Sequence, residues 1–307
     1  MSRPKVVVAE ALADVAIETL GMWCDVEVAV GADRGELMGA LGDAVALLVR
    51  SATNVDAEMI AAAPMLEVIG RAGVGLDNID VEAAEERGIV VVNAPDASTI
   101  SAAEHTMALL LAQARRIPEA DASLRAGRWD RKELSGVELY GKTLGIVGLG
   151  RIGAQVASRA AAFGMRIIAY DPFVGDDQAE ALGAQLAGLD DVLSEADFLT
   201  IHAPRSADTE GMIDAAALAT MKPTARIVNV ARGGIVDEDA LAAAIVDGTI
   251  AGAALDVFAA EPTTESPLFA LPQVVVTPHL GASTHEAQHR AGASVVEAVV
   301  AALDAGS

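Results

Sequence analysis

Short runs of β-branched and aliphatic residues recur along this chain at intervals that leave room for one helix between each pair. That rhythm restricts the fold more than any other feature. The first series runs Lys5 to Ala9, Val26 to Val30, Ala44 to Arg50, Leu66 to Gly70 and Ile89 to Asn93. The second runs Thr143 to Val147, Arg166 to Tyr170, Phe198 to His202, Arg226 to Val230, Gly252 to Asp256 and Val274 to Thr277. The stretches between are rich in Ala, Glu and Leu, a pattern of βαβ units and parallel sheets. Hydrophobic residues make up 52% of the chain but aromatics only 3%, so the cores must be built from Ala, Val, Leu and Ile. That mixture suits parallel strands covered on both faces. A length of 307 residues fits two such domains. The expected fold is therefore α/β, with two doubly wound parallel-sheet domains and a cleft between them.

Between the series, 98–114 reads as one long helix crossing from the first domain to the second. Ser98 or Ser101 is its candidate cap, with Glu104 placed as in a capping box. The stretch 284–303 is again helical by pattern and begins where the second series has run out of strands, so it is expected to return to the first domain. The expected division is 1–97 with 283–307, and 98–282.

A formal net charge of −23 repels nucleic-acid phosphates and anionic membranes, which excludes both as expected partners. An anionic metabolite would need its own cluster of Arg and Lys. No apolar run reaches the length of a membrane helix, because Glu104 and His105 interrupt even the segment around Met107 to Leu111. The first residues lack the apolar core of a secretory leader. Cys24, the single cysteine, permits no internal disulfide and reads as a small hydrophobic filler. The expected location is the cytoplasm.

Gly148-Leu149-Gly150-Arg151-Ile152-Gly153 follows an apolar strand and opens a helix pattern through Gln155, Val156 and Arg159. In that setting the glycines serve a tight turn, close backbone approach to a pyrophosphate, and close packing of helix on strand. The next strand ends in Asp171, about 20 residues on, where a carboxylate can bond the adenosine ribose hydroxyls. Pro172 and Phe173 follow it, so a 2′-phosphate would meet a negative charge with no basic neighbour. This is a Rossmann dinucleotide site, and NAD is expected over NADP.

Oxidising a secondary alcohol needs a base for the hydroxyl proton, and His is the side chain whose ordinary pKa lies nearest neutrality. His279 follows the strand ending at Thr277, at the carboxyl edge where open α/β sheets bind ligands. Glu261 follows another strand end and is placed to meet that imidazole and favour its protonated form. Arg232, flanked by Gly233 and Gly234, can hold a carboxylate through a two-pronged bond and polarise the adjacent carbonyl.

The glycine loop, Asn229-Val230-Ala231-Arg232-Gly233-Gly234, Asp256-Val257-Phe258 with Glu261-Pro262, and Thr277-Pro278-His279-Leu280-Gly281 together resemble the D-isomer-specific 2-hydroxyacid dehydrogenases. Arg71-Ala72-Gly73-Val74-Gly75-Leu76-Asp77-Asn78, Val92-Asn93-Ala94-Pro95 and Ser101-Ala102-Ala103-Glu104 support this, and the similarity covers essentially the whole chain. The resemblance implies a flavodoxin-like substrate domain beside the Rossmann domain. It gives Arg232 to substrate binding and polarisation, Glu261 to tuning the histidine, and His279 to acid/base catalysis. It implies an NAD site formed by Val74, Gly148, Gly150, Arg151, Ile152, Gly153, Asp171, Pro172, His202, Ala203, Pro204, Thr209, Val230, Ala231, Arg232, Asp256, His279, Gly281 and Ala282.

By the same resemblance, Arg50, Ser51, Arg71, Gly73, Val74, Gly75 and Asn93 bind the carboxylate and phosphate ends of a small anionic substrate, together with Arg232 and His279. Arg131 and Lys132, after Trp129, correspond to a basic pair lent to a neighbouring subunit, which implies a homodimer formed largely through the second domain. The expected substrate is thus a phosphorylated 2-hydroxy acid. The alternatives are an unphosphorylated acid (glyoxylate, hydroxypyruvate or D-lactate) and an NAD-sensing corepressor-like module. Longer members of the family carry further C-terminal regulatory domains; be this a natural short form or a piece of a longer chain, regulation through such domains is not expected of it. His285 and His289 stand one turn apart on the last expected helix, a spacing that can bind a metal. No third ligand accompanies them, so a solvated helix face is expected and no metal.

Overall fold

The computed structural model describes residues 3–306. The chain divides into two compact units, one made of residues up to Thr99 together with those from Ala282 onward, the other of Ile100–Gly281.

In the first unit, strands β1 (Lys5–Val8), β2 (Asp25–Val28), β3 (Ala46–Val49), β4 (Val68–Arg71) and β5 (Val90–Asn93) are all parallel, in the order β2-β1-β3-β4-β5. Successive side chains on a strand face opposite ways, and the two cores follow that alternation. Val7, Leu47, Val49 and Ile69 pack with Leu37, Leu41, Met59 and Ile60. Val6, Val8, Leu48 and Val68 pack on the other face with Leu20, Cys24, Val295, Val296 and Val299. The last three belong to the helix His285–Gly306, whose apolar stripe closes that face. Each fully buried Val or Leu there contributes roughly 1.5–3 kcal/mol. β2, at the sheet edge, carries the charged Asp25 and Glu27, which discourage pairing with another chain. The strand order reverses between β1 and β3, and this opens a crevice outside their carboxyl ends.

The second unit contains β6 (Thr143–Val147), β7 (Arg166–Tyr170), β8 (Ala184–Leu186), β9 (Phe198–Ile201), β10 (Arg226–Asn229), β11 (Gly252–Leu255) and β12 (Val274–Val276). They form one parallel sheet in the order β12-β11-β10-β9-β6-β7-β8, which reverses between β6 and β9. β8 is an addition to the sequence reading. Its three residues, Ala-Gln-Leu, include no β-branched side chain and fall below the length at which periodicity is readable.

The long helix runs Thr99–Ala114. Ser101 therefore lies inside it rather than capping it, and Glu104 instead forms an ion pair with Arg159 at 3.7 Å. Met107, Leu110 and Ala114 on this helix pack against Leu144, Ile146 and Val156. Part of the acid excess serves local structure. Asp33, Asp56, Asp80, Asp214 and Asp237 each accept a backbone N–H at a helix N-terminus, a cap worth about 1 kcal/mol. Among the described residues no helix is long and apolar enough to cross a membrane.

Candidate active site

The glycine loop leaves β6 at its carboxyl end. Gly148 has φ +91°, and a Cβ there would stand 2.8 Å from the carbonyl carbon of His202 at the end of β9. A Cβ on Gly153 would collide with the carbonyl oxygen of Gly148. These two positions press the helix Arg151–Ala162 against the loop, as an approach to a pyrophosphate requires. That helix has no side-chain cap, unlike the aspartate-capped helices, and a Cβ on Gly150 would meet nothing within 4 Å. With no side chain capping it, that helix N-terminus presents the positive end of its dipole where an anion can be held. The residues present fit a dinucleotide.

Asp171, after β7, accepts Leu149 N–H at 2.7 Å through Oδ2 and Phe173 N–H at 2.9 Å through Oδ1. A carboxylate oxygen can accept more than one bond, so these contacts orient the group without exhausting it. Pro172 and Phe173 are exposed. His202 donates its backbone N–H to Val147 at 2.7 Å, and its Nε2 lies 3.0 Å from the Thr200 hydroxyl. Burial pushes the imidazole down to about 3, so it is neutral at physiological pH. The loop through Ala203 and Pro204 is closed by Thr209, whose hydroxyl donates to the Pro204 carbonyl at 2.6 Å and accepts Ser206 N–H at 2.8 Å.

Arg232, Glu261 and His279 follow β10, β11 and β12, three adjacent parallel strands. The Nδ1 of His279 lies 2.5 Å from Oε2 of Glu261. The other Glu261 oxygen accepts Phe258 N–H at 2.8 Å, which fixes the carboxylate relative to its own loop. The hydrogen bond that His279 donates to Glu261 raises the His279 pKa above its ordinary value, against the opposing effects of burial and the nearby Arg232 charge. Burial pushes Glu261 upward, but the bonds from His279 and Phe258 outweigh it and leave the carboxyl below its ordinary value. The Arg232 turn is shaped by buried Asn229, which accepts Ala231 N–H at 3.0 Å and donates to the Arg232 carbonyl at 2.9 Å. A Cβ on Gly233 would collide with the Phe258 carbonyl, so glycine lets the Arg232 loop lie directly on the Glu261 loop. Val230 is buried and Ala231 half-buried.

His279 itself has φ 55°, a left-handed conformation that costs a non-glycine residue roughly 1–2 kcal/mol. Asp256 holds it there. The His279 N–H donates to the Asp256 carbonyl at 2.8 Å, and the next two amides, Leu280 and Gly281, donate to Oδ1 and Oδ2 at 2.7 and 2.8 Å. The Asp256 side chain is 0% exposed. The sequence reading places it in the cofactor site, and its carboxylate is engaged by protein donors that tie down the histidine loop. His105, which sequence reasoning did not single out, also reaches it. Its Nε2 is 3.1 Å from Asp256 Oδ1 and 3.0 Å from the Thr277 hydroxyl.

In the first unit, Arg50 follows β3, the Arg71 to Gly75 loop begins at the end of β4, and Asn93 ends β5. The Asn93 amide donates to the Val74 carbonyl at 2.6 Å, and the Arg71 guanidinium folds over Gly73 into the space a side chain there would take. A second residue missed in the sequence is Glu10, just beyond β1. Its carboxylate accepts the backbone N–H groups of Arg50, Ala52 and Thr53 at 2.8–3.1 Å. Burial pushes Glu10 upward, yet these bonds hold it below its ordinary value. A pocket of about 350 Å³ at this edge is lined by Arg50, Leu12, Ala72, His285, Gln288 and His289, among others. His285 and His289 thus border a pocket with Arg50, and both remain exposed. Among the described residues no group of three or more His, Cys, Asp or Glu is arranged to hold a metal. Ser51 is exposed, as is Ala282. Arg131 and Lys132 are exposed in the second unit.

Residues 107–281 match the sequence profile of the D-isomer-specific 2-hydroxyacid dehydrogenase NAD-binding domain. The chain belongs to the D-isomer-specific 2-hydroxyacid dehydrogenase family. Within this family it is 57% identical over 303 residues to the D-3-phosphoglycerate dehydrogenase of Mycobacterium tuberculosis, covering 99% of this chain and 57% of that protein. It thus spans little more than half the length of that curated relative. Among solved structures, the TT0316 protein from Thermus thermophilus superposes with a TM-score of 0.90 at 38% identity, over 98% of this chain and 97% of that one. A D-lactate dehydrogenase from Aquifex aeolicus, complexed with NAD and lactic acid, gives a TM-score of 0.87 at 28% identity over 98% and 96%.

Proposed function

We propose that this 2-hydroxyacid dehydrogenase uses NAD to oxidise D-3-phosphoglycerate to 3-phosphohydroxypyruvate, the first step of the phosphorylated route to serine. The observation that carries the chemistry is the 2.5 Å contact between His279 and Glu261 on neighbouring strand ends, with Arg232 on the next. Glu261 occupies Nδ1 of the imidazole, so Nε2 is the nitrogen that takes the substrate hydroxyl proton. The imidazolium so formed is held by the Glu261 carboxylate. Arg232 binds the substrate carboxylate and polarises the oxygen on the reacting carbon. NAD, when bound, supplies the hydride acceptor. The uncapped helix N-terminus after Gly150 and the carboxylate of Asp171 are the groups that would hold its pyrophosphate and ribose.

The phosphorylated substrate is supported by the basic side chains of the first unit. Arg50 stands on a pocket at the strand-order reversal, where open α/β sheets bind ligands. The 57% identity to a D-3-phosphoglycerate dehydrogenase favours the same choice. We assign substrate binding to Arg50, Ser51, Arg71, Gly73, Val74, Gly75 and Asn93 together with Arg232 and His279. The remaining residues of the NAD site are those given by the family resemblance. The chain is further proposed to act in the cytoplasm as a homodimer through its second unit. Exposed Ile117, Leu124, Trp129 and Tyr140 in that unit supply apolar surface for a second copy. Arg131 and Lys132 would then serve the partner's site.

Spectrophotometric assay of NADH formation with D-3-phosphoglycerate tests the reading, run beside D-lactate, D-glycerate and glycolate, with sedimentation to report the assembly. Turnover highest on the phosphorylated acid is expected. Preference for an unphosphorylated acid, or NADH binding without turnover on any, overturns it.

A further inference from the structure

We propose that His105 is a positioning residue for His279: its imidazole, bonded to Asp256 and Thr277, braces the loop that presents the His279 ring to Glu261. The catalytic consequence rests on the function proposed above; the structural one does not.

The argument starts from Asp256. Its carboxylate has no exposure to solvent and four donors around it: Leu280 N–H and Gly281 N–H, the Thr277 hydroxyl at 2.6 Å, and His105 Nε2. An ionised carboxylate only accepts, and these bonds favour that form, holding the Asp256 pKa below its ordinary value. Burial works against that form. Three of the donors belong to the loop being held, and His105 is the fourth. It comes from the helix Thr99–Ala114, whose packing against β6 is independent of the loop. It therefore ties the histidine loop to the body of the unit, while the other three tie the loop to Asp256. Because Thr277 donates to Asp256, its hydroxyl oxygen is left to accept from His105 Nε2, and one N–H serves both partners at 3.0 and 3.1 Å. His105 is bonded to Asp256 and Thr277 rather than to His279 or Glu261, so its effect on that pair passes through the loop.

The groups that face His279 and set its titration are Glu261 and Asp256, which favour its charged form, and Arg232, which opposes it. Around His105 the charged partner is Asp256, since the adjacent Glu104 is turned toward Arg159. Loosening the loop weakens the His279–Glu261 bond first, because that bond depends on the left-handed backbone at His279.

The test compares His105→Leu and His105→Gln in the whole chain. The Gln amide nitrogen reaches the place of Nε2, whereas Leu offers no donor. Imidazole NMR follows the His279 titration without substrate or cofactor, assigned by its loss in His279→Asn, with His285 and His289 as internal controls. In His105→Leu the His279 midpoint should fall by about half a pH unit or more toward the ordinary imidazole value. NADH formation should drop roughly tenfold to a hundredfold in kcat. His105→Gln should restore both. An unshifted His279 titration with unchanged kcat in His105→Leu overturns the proposal, as does a Gln variant as impaired as Leu with the same melting temperature as wild type. Should the Leu variant not fold, His105→Asn decides, because its shorter amide does not reach Asp256: behaviour equal to Gln refutes the proposal. Absence of turnover in the wild type would count against the function proposed above and leave the NMR result to judge His105.

Discussion

The imidazole of His279 donates from Nδ1 to the Glu261 carboxylate across 2.5 Å, and each residue shifts the other toward its charged form. Alcohol oxidation needs the unprotonated imidazole, so the rate should rise as pH climbs through the raised His279 pKa. Reduction should fall over the same range. Glu261→Gln removes the main cause of the shift and should move both limbs to lower pH. His279→Ala should cost about 10²–10⁴ in kcat with little change in NAD affinity. The pH–rate profiles of wild type and variants check this.

The same pair bears on stability. A raised histidine pKa contributes stability that is fully present below the unfolded value and lost as pH rises through the folded one. The depressed Glu261 pKa contributes stability present above its unfolded value and lost as pH falls through the folded one. The difference in unfolding midpoint between wild type and Glu261→Gln should therefore be greatest in the window between the two groups and shrink on either side. Urea titrations across a pH series measure it.

Gly233→Ala should lower turnover far more than it weakens cofactor binding. Its Cβ meets the Phe258 carbonyl, a backbone group that cannot turn aside. The Arg232 and Glu261 loops must then separate, and a displacement of an ångström or so costs up to about 10²-fold in kcat. Steady-state kinetics beside NADH titration distinguishes this from general unfolding.

Cofactor choice should depend on Asp171. Replacing it with Ser removes the charge that a 2′-phosphate would meet, so the ratio of kcat/KM for NADP over NAD should rise about tenfold, equivalent to ~1.4 kcal/mol. An unchanged ratio would place discrimination elsewhere.

Arg50→Gln should raise the KM for D-3-phosphoglycerate by about 10- to 100-fold, the loss of a charge-assisted bond of ~1.5–3 kcal/mol. The KM for an unphosphorylated hydroxy acid should change much less. Parallel kinetics on the two substrates provides the comparison.

The alternation of strand and helix, the glycine loop and the strand-end positions of Arg232, Glu261 and His279 were legible because each is a local pattern at a readable spacing. β8 was not, since Ala184-Gln185-Leu186 carries no strand signal and owes its place to pairing with β7. His105 was hidden for a different reason: its partners lie 151 and 172 residues away, and on its own helix it looks like a polar interruption. Ser101 misled because a serine three residues before a glutamate marks a helix start only when the helix has not already begun, and here it begins at Thr99. Glu10 left one readable trace, an acid immediately beyond a buried strand.

Glu10 satisfies the amides of Arg50, Ala52 and Thr53 from within the chain. With three of its amides already held by Glu10, that turn has few main-chain donors to offer a visiting anion, so recognition at that edge falls largely to side chains such as Arg50. Such groups can be exchanged one at a time without rebuilding the turn beneath them. The scaffold and the choice of acid are in that respect separable, which is how one architecture can come to serve many different hydroxy acids.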